Sequence, residues 1–201
     1  MYIVVFTIFI FNPILSLFLT FIEVLNRKKY AAFLFSFTMG LLAFVLIPME
    51  GYDLIRVYEE YSYFKLLNFD QLLYYLSFNL DFLFYVYSWI LAKLSLPKEL
   101  LPFTSIFLIY YIFITIYIDW AKRNNVNKNQ KFVLLILIIL FIPFLSTYSG
   151  IRNNTGLSFF VLGLYNFSIY KKHNGLLFIF LANLIHFMTV FLSVLLLISY
   201  I

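Results

Sequence analysis

Long apolar runs cut by short polar punctuation set the pattern of this chain. The first runs from Tyr2 to about Leu25 and is expected to bend at Asn12-Pro13. Roughly 20 apolar residues suffice for a spanning helix, so this run predicts one. Asn26-Arg27-Lys28-Lys29 then forms a tight basic turn before a second uncharged run, Tyr30 to about Pro48. From Met49 to about Gln71 the character changes: Glu50, Asp53, Arg56, Glu59, Glu60, Lys65 and Asp70 alternate with tyrosines and Phe64. Mixed charge and aromatic rings predict an amphipathic helix lying at a membrane interface over residues 49–71. Further apolar runs cover Leu72 to Leu96, Leu100 to Ile118, Phe132 to Tyr148, Thr155 to Tyr170 and Gly175 to Ile201. About six to seven apolar segments result, predicting an all-α, polytopic integral membrane protein with residues 1–201 as one transmembrane domain.

Lys and Arg favour the cytoplasmic side of a membrane. The basic turn at Arg27, the loop from Lys122 to Lys131 and the pair Lys171-Lys172 are therefore read as topology signals, with Met1 outside. Three apolar runs separate the first two clusters, and an odd number of crossings would put them on opposite faces. One run is thus expected to enter and return, or to lie along the interface. Leu72 to Leu96, with Asn79, Asp81 and Lys93, fits best, provided protein or a water-filled cavity covers its polar backbone. Asp81 and Lys93 are too far apart on a continuous helix to form one ion pair, and no role is assigned to them. The stretch around Asp53 and the segment Ser149 to Asn153 then share the outer face. The N-terminal run has no preceding basic region and no small-x-small site, so it is not read as a cleaved signal.

Composition sharpens this picture. Hydrophobic residues make up 64% of the 201 positions and charged residues 11%, with a mean hydropathy of +0.97. A soluble domain is about half apolar and a quarter charged, so the excess here must face lipid. The net charge of +5 sits in clusters between apolar runs, a placement that suits anchoring and argues against nucleic-acid binding. With no Cys and only His173 and His186, disulfides and thiolate metal sites are excluded, and neither a metal nor a cofactor is expected. Phosphate-binding Gly loops, HExxH and GxSxG are missing.

Three places carry polar residues where they are costly. Ser149-Gly150-Ile151-Arg152-Asn153-Asn154 is wedged between apolar runs by a connection too short to be a solvated loop. Arg152 either offers its planar fork of donors to pyrophosphate oxygens or snorkels from a helix end to headgroups. On the polar stretch, Asp53 and Arg56 share a helical face with Glu60, either as a surface ion pair or as part of a site. In the last run, Asn183, His186 and Ser193 recur as a polar stripe. Interhelical hydrogen bonding explains Asn and Ser, while His186 is open to a second reading as a general base or substrate contact.

These places also carry a resemblance. Gly51-Tyr52-Asp53-Leu54-Ile55-Arg56-Val57-Tyr58 resembles the Asp-Leu-x-Arg-x-Tyr pattern of EpsG-type proteins, which belong with the O-antigen polymerase (Wzy-like) group. Phe84 to Leu94 with Leu96-Pro97-Lys98-Glu99-Leu100 resembles the group's paired middle segments. Ser149-Gly150-Ile151-Arg152-Asn153 and Leu181-Ala182-Asn183-Leu184-Ile185-His186-Phe187 resemble its Ser-Gly-Ile-Arg-Asn/Gln and Leu-Ala-x-x-x-His-Phe/Tyr motifs, in the same order. Thr155-Gly156 departs from the Leu-Ala more usual there.

The resemblance implies a multi-pass protein of the bacterial cytoplasmic membrane. Such a protein joins polyprenyl-pyrophosphate-linked oligosaccharide repeats into exopolysaccharide, capsule or O-antigen, alongside other polysaccharide-assembly membrane proteins. It further implies Arg152, Asp53 and His186 as catalytic residues and Arg56, Tyr58 and Asn153 as substrate contacts. A transporter or flippase component for lipid-linked sugars, and a non-catalytic scaffold, are the alternatives. Members of the group are longer, so this chain is expected to be an N-terminal part that inserts into membrane but does not restore polymer alone.

Overall fold

The computed structural model describes residues 2–199, which form helices and no strand. In order these are α1 (Tyr2–Phe11), α2 (Pro13–Leu25), α3 (Lys29–Val45), α4 (Asp53–Phe64), α5 (Phe69–Ser77) and α6 (Phe82–Lys93). They are followed by α7 (Leu100–Arg123), α8 (Lys128–Phe141), α9 (Phe144–Ser149), α10 (Ile151–Tyr170), α11 (Asn174–Ile185) and α12 (Met188–Ser199). The all-α class expected from the sequence is what is found. Among the described residues one helix, α7, is both long and apolar enough to cross a membrane, and five further helices are apolar but shorter.

Several apolar runs are broken into halves. At Asn12-Pro13 the proline takes the first helical position, where no N–H is needed, and the Asn12 side chain accepts the Leu15 N–H at 2.9 Å. The run from Phe132 divides at Ile142-Pro143 into α8 and α9. Leu72 to Leu96 is not one segment but parts of α5 and α6, of 9 and 12 residues, parted at residues 78–81. At about 1.5 Å per residue neither reaches 20 Å. Two expectations need correction. The run read as starting at Thr155 begins at Ile151, so Arg152 stands in the first turn of α10. The last run is not a continuous helix either, because His186 turns extended (φ −149°, ψ 120°) and separates α11 from α12. Asn183 and Ser193 therefore do not line one helix face, yet they meet across the break. Asn183 Oδ1 accepts the Thr189 hydroxyl at 2.8 Å and the Ser193 hydroxyl at 3.0 Å.

Helix α7 is the centre of the bundle, packing on α3 and α10, while α2 backs α3 and α11 backs α10. Edge-to-face rings fasten α3 to α7, with Phe37 on Phe103 at 5.3 Å and Phe33 on Phe107 at 5.5 Å. Two buried tyrosines satisfy carbonyls orphaned where helices end: Tyr110 donates to Ile142 O at 2.9 Å and Tyr148 to Leu46 O at 2.6 Å. Tyr117 ties α7 to the first turn of α8 by donating to Lys131 O at 2.9 Å. The outer faces stay apolar, with Phe11, Phe18, Leu140 and Leu195 all exposed.

The α10–α11 crossing depends on two glycines. A Cβ at Gly163 would lie 2.7 Å from Gly175 O and 2.6 Å from Ile179 Cγ1, and one at Gly175 would lie 2.6 Å from Gly163 O. Backbone stands in the way on both sides, so side-chain adjustment cannot relieve the clash. Gly163→Ala is expected to force the helices apart and lower stability by about 2 kcal/mol. Thermal unfolding in mild detergent measures this, and an unchanged transition would show that the crossing yields.

The two ends of α7 mark two ends of the bundle, about 36 Å apart for 24 residues. Near its start, the Lys98 amine sits 4.6 Å above the Tyr58 ring, which fixes α4 at that end. Near its finish, Arg27 reaches the Ala121 carbonyl at 3.4 Å, which fixes the basic turn at the other.

Candidate functional site

At the α4 end, polar side chains from separate helices converge on one guanidinium. Arg152, 6% exposed, projects from the first turn of α10. Its Nη1 donates to the Tyr85 hydroxyl at 2.6 Å, and its Nη2 donates to Asp53 Oδ2 at 3.1 Å and Oδ1 at 3.3 Å. Nη1 also faces Asp81 Oδ2 at 3.7 Å and Glu60 Oε2 at 3.9 Å. Asp53 stands at the start of α4, so its carboxylate is held by Arg152 on the inner side and by Arg56 Nη2, at 2.7 Å, on the outer. Arg56 keeps 62% of its side chain exposed, leaving donors free toward solvent.

The far side of the cluster is built by two helix breaks that face each other. Asp81 precedes α6, and its Oδ1 accepts the Phe187 N–H, freed by the α11–α12 break, at 3.0 Å. The same oxygen lies 3.1 Å from His186 Nδ1. A carboxylate there holds the proton on Nδ1 and leaves the Nε2 lone pair available. One continuous chain results: His186, Asp81, Arg152, Asp53, Arg56.

Glu60 is the member with least compensation. Its Oε2 is buried without a hydrogen-bond partner, and its contact with the Arg152 guanidinium is long, at 3.9 Å. Burial raises its pKa, with nearby Asp53 and Asp81 adding to the rise, and this outweighs the opposing pull of Arg152 and Arg56. A carboxyl whose folded pKa lies above its unfolded value binds more protons when folded. Its contribution to stability is therefore full below the ordinary Glu range and declines as pH rises through the raised value. Glu60→Gln is expected to remove that decline. Unfolding of both proteins across this pH window checks it, and parallel pH profiles would exclude Glu60 as the source.

Four of the six residues singled out from the sequence come together: Arg152, Asp53, His186 and Arg56. Tyr58 and Asn153 do not. Tyr58 lies about 140° round α4 from Asp53 and turns into a separate cavity of about 590 Å³, beside Glu59, Ser62, Lys98 and Glu99. Asn153 follows Arg152 by one residue and is exposed on another face of α10. Arg152 does not snorkel, since its guanidinium points inward onto Tyr85 and Asp53. The Asp53–Arg56 surface pair exists but is only the outer half of a larger network. Asp81, Glu60 and Tyr85 were not expected as partners of Arg152. Among the described residues, no group of three His, Asp or Glu side chains is arranged to hold a metal ion.

Beneath the cluster, an almost wholly apolar cavity of about 440 Å³ opens between α6, α7, α10 and α11, with Phe84, Thr155 and Ile185 among its walls. An ionic cluster thus adjoins an apolar chamber, an arrangement able to hold an amphiphile with an anionic head. Comparison of the chain with protein-family models, with curated proteins and with solved structures gives no match.

Proposed function

We propose that the protein is a multi-pass component of the bacterial cytoplasmic membrane and that the Arg152 cluster is the transfer site of a polysaccharide repeat-unit polymerase of the EpsG and Wzy-like kind. The observation that carries this reading is convergence. Asp53, Arg152 and His186 come from three motifs spread over more than half of the chain, and they are linked through contacts of 3.1 to 3.7 Å by way of Asp81. Such a network in an apolar bundle is expensive, and intramembrane charges mark substrate pathways and sites by default. The exposed apolar faces of α1, α2, α8 and α12 support the membrane reading.

In the transfer, a sugar hydroxyl forms a bond to C1 of a second repeat as the C1–oxygen bond to polyprenyl pyrophosphate breaks. The bonding pair leaves with pyrophosphate, and the hydroxyl proton must go to a base. Arg56, exposed and aimed outward, suits the pyrophosphate. His186 suits the proton, because Asp81 orients the ring and stabilises its charged form. Asp53, engaged by two arginines, is the weaker base. Arg152 holds Asp53 and so positions Arg56. This moves the pyrophosphate contact from Arg152, as expected from the sequence, to Arg56.

Binding tests the reading directly. The purified protein in detergent, titrated with a polyprenyl-pyrophosphate oligosaccharide, is expected to prefer it over the matching monophosphate. Arg56→Gln should weaken binding about 10- to 100-fold, the range for a charge-assisted contact. Equal affinity for pyrophosphate and monophosphate lipids would count against a polymerase. Opposed helix breaks also occur in secondary transporters, which favours a lipid-linked sugar transporter as the second reading. Movement of labelled lipid-linked sugar across liposomes containing the protein would select it.

A further inference from the structure

The end of the bundle opposite the polar cluster holds another concave site, which the transfer chemistry does not use. A cavity of about 340 Å³ opens between the α2–α3 turn, the last turns of α7 and the C-terminal part of α10. Arg27 and Lys29 from the turn and Lys122 from α7 line it. Asp119 is the one carboxylate among the described lining residues, and it is already engaged. Its Oδ2 accepts Arg123 Nε at 2.9 Å and the Tyr165 hydroxyl at 2.5 Å. Arg123 in turn stacks on Tyr170, 3.8 Å from the ring centroid. Glu23, the nearest acid on α2, is buried and accepts the Tyr30 hydroxyl at 2.6 Å. Arg123 cancels the charge of Asp119, so three positive charges converge on a cavity that offers no free acid.

Clustered cations at the end of the longest apolar helix match the charge of a phosphate group. Ile116 and Leu162 add apolar wall beside the charges, which a phosphate attached to an acyl chain would cover and a free phosphate would not. We infer that this cavity binds a phosphate-bearing anion, supplied by an acidic phospholipid headgroup or by soluble phosphate. Lys122 and the Arg27 turn, read from the sequence as topology signals alone, would then also form a binding site.

The test uses the purified protein in neutral detergent. Native mass spectrometry compares phosphatidylglycerol with phosphatidylcholine of matched acyl chains, and calorimetry follows inorganic phosphate. Each cation near an anionic surface contributes about a fivefold factor, so three should give a preference for phosphatidylglycerol on the order of 100-fold. The combined Arg27→Gln, Lys29→Gln, Lys122→Gln variant should lose this preference, whereas Lys128→Gln with Lys131→Gln should keep it. If millimolar phosphate binds alone and displaces the lipid, the source is soluble phosphate; if it does neither, the source is the headgroup. No lipid preference together with no phosphate binding overturns the inference, as does a preference that survives in the triple variant. Should the triple variant not fold, Lys29→Gln and Lys122→Gln, both exposed positions, carry the test singly, each with about a fivefold loss. None of these readouts involves Arg152 or His186, so this inference and the polymerase reading can fail independently.

Discussion

Arg152→Met is expected to lower the unfolding free energy by about 3 kcal/mol, the largest stability effect of any single substitution in the cluster. Removing one partner of a buried ion pair typically costs about 3 to 5 kcal/mol, because the remaining charge is left uncompensated. The lower end applies here, since the carboxylates around Arg152 keep other partners. Asp53 retains Arg56 at 2.7 Å, and Asp81 retains His186 and the Phe187 N–H. Arg152→Lys should fall between, at about 1 to 2 kcal/mol, because one ammonium cannot reproduce the planar fork that serves Tyr85 and both oxygens of Asp53. Combining Arg152→Met with Asp53→Asn should recover about 1 kcal/mol, as one of the stranded charges is then gone. Thermal or chemical unfolding in mild detergent gives these values. A loss below about 0.5 kcal/mol for Arg152→Met, the size of an ordinary surface change, would mean that the guanidinium does not hold the cluster together.

Local rules made part of this arrangement legible. Pro13 stands where the first apolar run breaks, whereas the break at Pro143 falls inside a run read as continuous; Asp53, Arg56 and Glu60 share a face of α4 because spacings of three and seven return to one side of a helix. The basic turn and the end of α7 lie together at one end of the bundle, so the two basic clusters share a face. Asp81 is not legible in the same way, because Lys93, the cation of its own apolar run, is not its partner. Its real partners are 71 and 105 positions further along, at Arg152 and His186, and Lys93 bonds the Lys65 carbonyl at 3.0 Å instead. The available signal was a lone carboxylate in an apolar stretch, beside Asn79, in a segment already suspected of turning back. The break at His186 had no comparable signal. No Gly or Pro marks it, and an apolar run with helical periodicity is indistinguishable from a continuous helix until a tertiary acceptor, here Asp81, takes the freed Phe187 N–H. Tyr85 was likewise hidden, one of many aromatic residues in an apolar helix until Arg152 is placed against its hydroxyl.

If the proposed polymerase reading holds, His186→Gln introduced into the native gene is expected to reduce polymer about 10²- to 10⁴-fold while leaving the protein at normal abundance. That range is what positioned proton transfer contributes. Glutamine can still donate an amide hydrogen to Asp81, so the break between α11 and α12 stays satisfied, but it offers no basic nitrogen. Asp81→Asn separates orientation from charge. Its Oδ1 can still accept from His186 Nδ1 and from Phe187, but it can no longer stabilise the imidazolium formed when the hydroxyl proton arrives. Its amide would also face the Arg152 guanidinium across the present 3.7 Å contact, donor against donor. A loss of about 10- to 10³-fold is expected, smaller than for His186→Gln. The double variant should be no worse than His186→Gln alone, because groups that act as one unit do not add. Independent structural roles would instead multiply the two losses and lower protein abundance with them. Full-length polymer at normal yield from His186→Gln would remove His186 as the base and leave Glu60, with its unpartnered oxygen, as the carboxyl to test next.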